Sequence, residues 1–207
     1  MDKYFEDALS IYRNANHNID WYARIQWRIF PFQKIDNFVL PDDNILDIGC
    51  GYGLLANYLL LKSEKRTATG IDFSNKRIKI ANTTVGKRSN LRFFECDIWK
   101  FEFEEYSTMI MTNFLHHISY ESQLQLLEKC RKYLRLGGRL IIKEIDRRPL
   151  IKYFLSYVFA EKLLYPFDRI YYWNIEDLKA RLIDIGFKVK VIPMHNIFPH
   201  CLIVCEK

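Results

Sequence analysis

Residues 44–53, NILDIGCGYG, run from an apolar stretch into three glycines spaced two apart, Gly49, Gly51 and Gly53, and a helical pattern opens at Leu54. Glycine at such a bend lets the backbone approach a ligand closely and adopt angles that a Cβ would forbid. A strand, a glycine loop and a helix in that order place the ligand near the helix N-terminus, at the carboxyl end of the strands. The dinucleotide fingerprint GxGxxG/A is not met, because the sixth position counted from Gly49 is Leu54. The chain reads DxGxGxG instead, with Asp47 two residues before the first glycine.

Beyond this loop, short apolar runs recur at TATGID (67–72), LRFFEC (91–96), TMIMTN (108–113) and GRLIIKEI (138–145). Helical spacing lies between them, over Leu54 to Lys62, Asn75 to Val85 and Glu121 to Leu136, with Gly137-Gly138 expected to stop the third helix. Strands alternating with helices imply crossover units and a mostly parallel sheet. The end differs. A helix over Ile175 to Ile185 closes at Gly186, and KVKVIPM (188–194) and CLIVCEK (201–207) are joined only by HNIFPH. That connector is too short for a crossover helix, so the last two strands are expected to be antiparallel. Asp72 ends the second strand, where a carboxylate suits both hydroxyls of a ribose. Asp97 follows the third, placed to accept from an exocyclic amine with Phe73 and Ile98 packing the two faces of an adenine.

The 207 residues, 49% apolar and 15% aromatic, suffice for one domain with a sizeable core. No apolar run approaches the roughly 18 residues of a membrane-spanning helix, and MDKYFEDALS does not read as a signal peptide. The expectation is a cytoplasmic protein. Five cysteines without CxxC spacing argue against a disulfide framework or a zinc site, and for mostly buried, reduced thiols. Lysine and arginine number 31 against 25 acids, a net charge of +6. The basic residues are scattered as solvated faces are, so a nucleic-acid partner is disfavoured on charge alone.

At these motifs the chain resembles the class I S-adenosylmethionine-dependent methyltransferases, over about residues 40–207. The resemblance implies a three-layer αβα, Rossmann-like, seven-stranded, mostly parallel sheet ending in an antiparallel β-hairpin, with N-terminal helices and a helical insert after the fifth strand. It implies a single methyltransferase domain: an N-terminal helical cap (1–40), a cofactor-binding core (41–148), a helical insert or lid (149–173), and the last helix with the hairpin (174–207). The cofactor implied is S-adenosylmethionine, leaving as S-adenosylhomocysteine. Its contacts carry over onto Asp47, Gly49, Cys50, Gly51, Asp72, Phe73, Asp97 and Ile98. NFLHHIS (113–119) resembles the family's segment after the fourth strand, so Asn113 and Phe114 are expected at the sulfonium end. LEKCRKYLRLGGRLII (127–142) resembles the helix, double-glycine turn and fifth strand. Ser107-Thr108 departs from the acidic residue that many members carry at the start of the fourth strand.

Methyl transfer to a hydroxyl calls for a base, and His116, His117, Glu144 and Tyr172 are the candidates on the ligand-bearing rim. Asp146 there is also read as an ion-pair partner of Arg147, and His195 and His200 as structural. The Asn/Asp-Pro-Pro-aromatic run of base amino-methyltransferases is absent, and no carboxylate–histidine cluster has metal spacing. The insert PLIKYFLSYVFAEKLLYPFDRIYYW (149–173) has amphipathic spacing at Ile151, Phe154, Leu155, Val158, Phe159 and Lys162, and is rich in aromatics. It suits a wall for an apolar acceptor, with Lys152, Lys162 and Arg169 available to an anionic membrane surface, or else a packed lid or dimer interface. WRIFPF, LPDDNILDIGCG and PHCLIVCEK resemble small bacterial methyltransferases of lipid or polyene biosynthesis. The expected activity is methylation, with oxygen preferred, of a small lipophilic or aromatic molecule. An RNA or protein methyltransferase and a non-catalytic cofactor-binding partner are the alternatives.

Overall fold

The computed structural model describes residues 2–13, 17–29, 31–146, 169–193 and 200–207. The amphipathic pattern expected over 151–162, Phe30, Arg147, Lys152, Lys162 and His195 lie outside them. The chain packs as two compact units, Met1–Ile110 and Met111–Lys207.

In the first unit three helices precede the sheet, α1 (Lys3–Tyr12), α2 (His17–Ile29) and α3 (Gln33–Asp36). Asp2 caps α1 by accepting from the Tyr4 N–H, and α1 buries Phe5, Ala8, Leu9 and Tyr12 on one face. This stripe packs on α4 (Leu54–Lys62). Phe5, Trp27, Phe32 and Tyr58 form one aromatic cluster, Phe5 stacking on Trp27 at 4.1 Å. Of the other aromatics that bunch here, Tyr22 meets Tyr52 edge-on, while Trp21 stays 72% exposed. Strands β1 (Asn44–Ile48), β2 (Thr67–Asp72) and β3 (Leu91–Glu95) pair in parallel, Asp47 opposite Gly70 and Asp72 opposite Glu95. Helix α5 (Asn75–Thr83) is capped by Ser74. Strand β4 (Tyr106–Thr112) opens with the expected departure from an acid, and the structure shows what replaces it. Thr108 donates to Asp43 at 2.7 Å, and the Ser107 hydroxyl both accepts from the Asn44 N–H and donates to its carbonyl. The acid comes from the neighbouring strand's entrance.

In the second unit a single 3₁₀ turn, Leu115–His117, leads to α6 (Tyr120–Tyr133), capped by Ser119. Strand β5 (Leu134–Ile145) follows at once. The expectation that α6 reaches Leu136 and stops at the glycine pair is therefore corrected. The chain turns extended at Leu134, whose side chain is fully buried, and Gly137-Gly138 lies inside β5. There Gly137 has φ +73°, its N–H donates to the Lys207 carbonyl, and the Lys207 N–H returns to that of Gly138. Helix α7 (Ile175–Asp184) starts on an Asn174 cap and ends before Gly186, at φ +100°. Strands β6 (Lys188–Pro193) and β7 (His200–Glu206) pair antiparallel, as the short connector requires, and β7 is also antiparallel to β5. The strands hydrogen-bond in the order β3-β2-β1-β4-β5-β7-β6, a seven-stranded mixed sheet. No disulfide forms, four of the five cysteines are buried, and no described helix is long and apolar enough to cross a membrane.

Candidate active site

The glycine loop is strapped to the end of β2. The N–H groups of Gly49 and Cys50 both donate to the Ile71 carbonyl, at 2.8 and 3.0 Å. Gly49, Gly51 and Gly53 all have positive φ, but the glycines serve different ends. A Cβ on Gly51 would meet nothing within 4 Å, so its requirement is conformational. A Cβ on Gly53 would lie 2.3 Å from the Phe93 ring, and one on Gly70 2.5 Å from it. Gly53 and Gly70 are thus small because Phe93 packs over them.

Asp72, buried, closes the loop: Oδ2 accepts from the Gly51 N–H at 3.0 Å and Oδ1 from the Ser74 N–H at 2.9 Å, with Arg77 3.9 Å away. Its carboxylate therefore holds the loop's shape. Asp97 is exposed and accepts from the Trp99 N–H at 3.0 Å; Ile98 is buried, and Phe73 is 76% exposed. Burial pushes the Cys50 thiol far up, so it is no thiolate nucleophile. Tyr12, on α1, donates to the Tyr52 carbonyl at 2.8 Å and accepts from Asn57, a tie to the loop that the sequence did not disclose.

Asp47 is the informative member. It is 1% exposed, and neither carboxylate oxygen has a hydrogen-bond partner. Burial, and then the charge of Asp72, push its pKa up to about 7. A buried carboxylate without donors is costly unless a cation or donor reaches it. Beside a loop of positive-φ glycines, it fits a cofactor that carries an ammonium group, as S-adenosylmethionine does in its methionyl arm.

The second unit assembles its own group. His116, 1% exposed, places Nδ1 2.7 Å from Glu144 Oε2, and Glu144 Oε1 accepts from the Leu115 N–H at 3.0 Å. Burial raises the Glu144 pKa, but the facing His116 and the nearby Lys143 overcome that and hold it below the usual carboxylate value. The Tyr172 ring stacks on the His116 imidazole at 4.5 Å, and the His117 ring lies 4.3 Å from that imidazole, tilted 42° to it. Buried Gln123 fixes this segment: its amine donates to the Ile118 and Tyr171 carbonyls and its oxygen accepts from Trp173. Leu115, His116, Glu144, Tyr172, Trp173 and Leu178 line a cavity here. Asn113, ahead of half-buried Phe114, takes φ +51°, the one positive φ outside glycine among the described residues. Lys143, 2% exposed, donates to its side-chain oxygen. Lys143 escaped the sequence reading; the signal was a lysine inside the apolar run LIIKEI. His200 is buried, and burial with the Lys143 charge pushes its pKa down to about 2, in keeping with a structural, neutral ring. Asp146 accepts from the Ile175 N–H at 3.5 Å. Among the described residues no three His, Cys, Asp or Glu side chains gather as metal ligands.

Residues 45–138 match the model of a methyltransferase domain. The chain is 31% identical over 114 residues to the carboxy-S-adenosyl-L-methionine synthase of Vibrio atlanticus (strain LGP32), covering 53% of this chain and 47% of that one. It is 28% identical over 196 residues to the tRNA N(3)-methylcytidine methyltransferase Mettl2 of Drosophila melanogaster, covering 83% and 58%. The chain thus spans about half the length of these curated relatives. In fold it is similar to an O-methyltransferase family 2 protein from Planctomyces limnophilus DSM 3776 in complex with apigenin, with a TM-score of 0.71, 20% identity, and coverage of 99% of this chain and 62% of that one.

Proposed function

We propose that this member of the class I S-adenosylmethionine-dependent methyltransferase family methylates a hydroxyl on a small, apolar or aromatic acceptor, with His116 as the base. The observation that carries the reading is the buried His116–Glu144 pair, 2.7 Å apart, under the Tyr172 ring. S-adenosylmethionine, when bound, supplies a methyl group already activated by its sulfonium. The chain's own work is then to align the acceptor, exclude water and take up the acceptor's proton. Glu144, ionised, has only acceptor sites, so the His116 Nδ1 carries the hydrogen between them and the lone pair falls on Nε2. That nitrogen receives the hydroxyl proton, and the Glu144 carboxylate stabilises the imidazolium that results. The main-chain bond from Leu115 and the stacked Tyr172 ring hold both members in place. Asp47, Gly49, Cys50, Gly51, Asp72, Phe73, Asp97, Ile98, Asn113 and Phe114 are the residues assigned to the cofactor. Asp47 answers its ammonium, Asp72 its ribose and Asp97 its adenine amine.

A second reading, methylation of RNA, draws on the long alignment with the tRNA methyltransferase and the net charge of +6. A ring nitrogen of a base needs no hydroxyl deprotonation, so the two readings separate on one variant. His116→Gln, assayed with labelled S-adenosylmethionine, is expected to lose 10²–10⁴-fold in kcat on a phenolic or fatty acceptor. Transfer to RNA by the wild type at a rate that His116→Gln leaves unchanged overturns the O-methylation proposal.

A further inference from the structure

Tyr52 stands between Gly51 and Gly53 in the glycine loop, and both long N-terminal helices touch it. Tyr22 of α2 meets its ring edge-on at 5.8 Å, and Tyr12 of α1 donates to its carbonyl at 2.8 Å. The Tyr12 hydroxyl, buried at 1% exposure, belongs to a hydrogen-bond chain whose direction is set by chemistry. Arg88, in the turn after α5, carries only donors, and it donates to Asn57 Oδ1. The Asn57 amide is thereby turned with its amine toward the Tyr12 oxygen, 2.8 Å away, the Gly53 carbonyl and the Thr84 hydroxyl. An amide amine cannot accept, so the Tyr12 oxygen accepts from it and the one phenolic hydrogen points to Tyr52. Burial lifts the Tyr12 pKa far above its ordinary value, so that hydrogen stays in place. Every one of these groups lies in the first unit.

Packing alone does not ask for that hydroxyl, since Phe5, Ala8 and Leu9 bury the rest of the same α1 face. What it reaches is the peptide between Tyr52 and Gly53, whose N–H in turn donates to the Cys50 carbonyl at 2.9 Å. That peptide is tied on both sides, although Gly51 at φ +56° and Gly53 at φ +76° flank Tyr52 with backbone that a Cβ does not restrain. We propose that Tyr12 is a positioning residue that holds the Tyr52–Gly53 peptide, and with it the glycine loop, in its cofactor-binding shape before the cofactor arrives. The first helix is then part of the cofactor site and not only a cap. This rests on the assignment of the loop to S-adenosylmethionine given above. A loop ordered in advance binds without the entropy loss of ordering, which is largest for glycine.

The test titrates S-adenosylhomocysteine calorimetrically into the wild type, Tyr12→Phe, Asn57→Asp and Leu9→Val, and follows hydrogen exchange of the Gly53 amide in the ligand-free proteins. Tyr12→Phe keeps the ring and removes the bond. It should bind about three- to tenfold more weakly, the net worth of one hydrogen bond, and its Gly53 amide should exchange faster relative to the amides of β1. Asn57→Asp keeps Arg88 in an ion pair and turns the Tyr12 hydrogen to the new carboxylate, so it should weaken binding too. Adding Tyr12→Phe to it should then weaken binding no further, because the bond to Tyr52 is already lost. Leu9→Val loosens the packing of α1 on α4 without touching the chain and should bind as the wild type does. Equal affinity in Tyr12→Phe and the wild type would overturn the proposal, and so would a loss shared by Leu9→Val, a loss with Gly53 exchange unchanged, or losses that multiply in the double variant. Should Tyr12→Phe or Asn57→Asp fail to fold, the other decides against Leu9→Val. Failure of the wild type to bind S-adenosylhomocysteine sinks the cofactor assignment itself and the inference with it.

Discussion

Asp47→Asn should abolish a pH dependence that the wild type carries in its core. The Asp47 carboxyl is 1% exposed with neither oxygen hydrogen-bonded, and burial with the Asp72 charge raises its pKa from 3.8 to about 7. A folded pKa above the unfolded one means that the folded state holds the proton more tightly. Its stability is fully present below about pH 4, declines as pH climbs, and levels off once the folded group ionises near pH 7. About three pKa units at 1.36 kcal/mol each make a total of about 4 kcal/mol, of which roughly 2–3 kcal/mol falls between pH 5 and pH 8. Asparagine cannot ionise, and its unsatisfied amide costs the same at every pH. Urea unfolding of ligand-free wild type and Asp47→Asn at pH 5, 6, 7 and 8 reads the difference directly. The variant should gain about 2–3 kcal/mol on the wild type across that range, while other titrating groups cancel. The same carboxyl must ionise to meet an ammonium, so wild-type affinity for S-adenosylhomocysteine should climb up to about pH 7 and that of Asp47→Asn should be weak and flat. Stability curves for the two proteins that run parallel from pH 5 to pH 8 would refute the assignment of Asp47 as a protonated, waiting anion.

Glu144→Gln should lower kcat for a hydroxyl acceptor by 10²–10⁴-fold, with S-adenosylhomocysteine affinity within a few-fold of wild type, since it spoils the base and not the cofactor contacts. Because the Glu144 pKa is depressed, the stabilisation that its ionised form gives the fold is present above its unfolded value of 4.5 and is lost only as pH falls through the lower folded value, so rates between pH 6 and pH 8 should owe nothing to its titration. Gly53→Ala drives a Cβ to 2.3 Å from Phe93 at φ +76° and should cost about 2–5 kcal/mol in urea unfolding, whereas Gly51→Ala, with open space around it, should cost only about 1–2 kcal/mol. Asp36→Asn leaves the buried Arg66 guanidinium without its carboxylate and should destabilise by about 3–5 kcal/mol, read as a fall in the urea midpoint.

The parts of the fold that were legible in the sequence are those written in local patterns. Strand β1, its glycines and α4 follow one another without interruption, so an apolar run and three glycines suffice to place them. The terminal hairpin was legible because six residues cannot hold a crossover, a constraint of chain length alone. The end of α6 was not, because glycine is a stop signal only where the helix has survived that far, and burial of Leu134 in the sheet wins first. Long-range pairings escaped for a common reason. His116 and Glu144 stand 28 residues apart, Asp43 and Thr108 stand 65 apart, and no spacing rule links them. Each was visible as a residue type in a suitable place, but the contact is made by the sheet. Phe93 over Gly53 and Gly70 is the same lesson in packing, since glycines read as ligand-facing are in part demanded by a ring on β3.

Transfer of a labelled methyl group from S-adenosylmethionine is the measurement that reads proton removal by His116 from an acceptor hydroxyl. The acceptors are a panel of phenols and fatty alcohols, each paired with its oxygen-blocked ether, alongside RNA. Label should appear on free hydroxyls and not on the matching ethers, and His116→Gln should lose it while S-adenosylhomocysteine still binds. Label confined to RNA, or label on hydroxyls that His116→Gln transfers at the wild-type rate, would rule out His116 as the base.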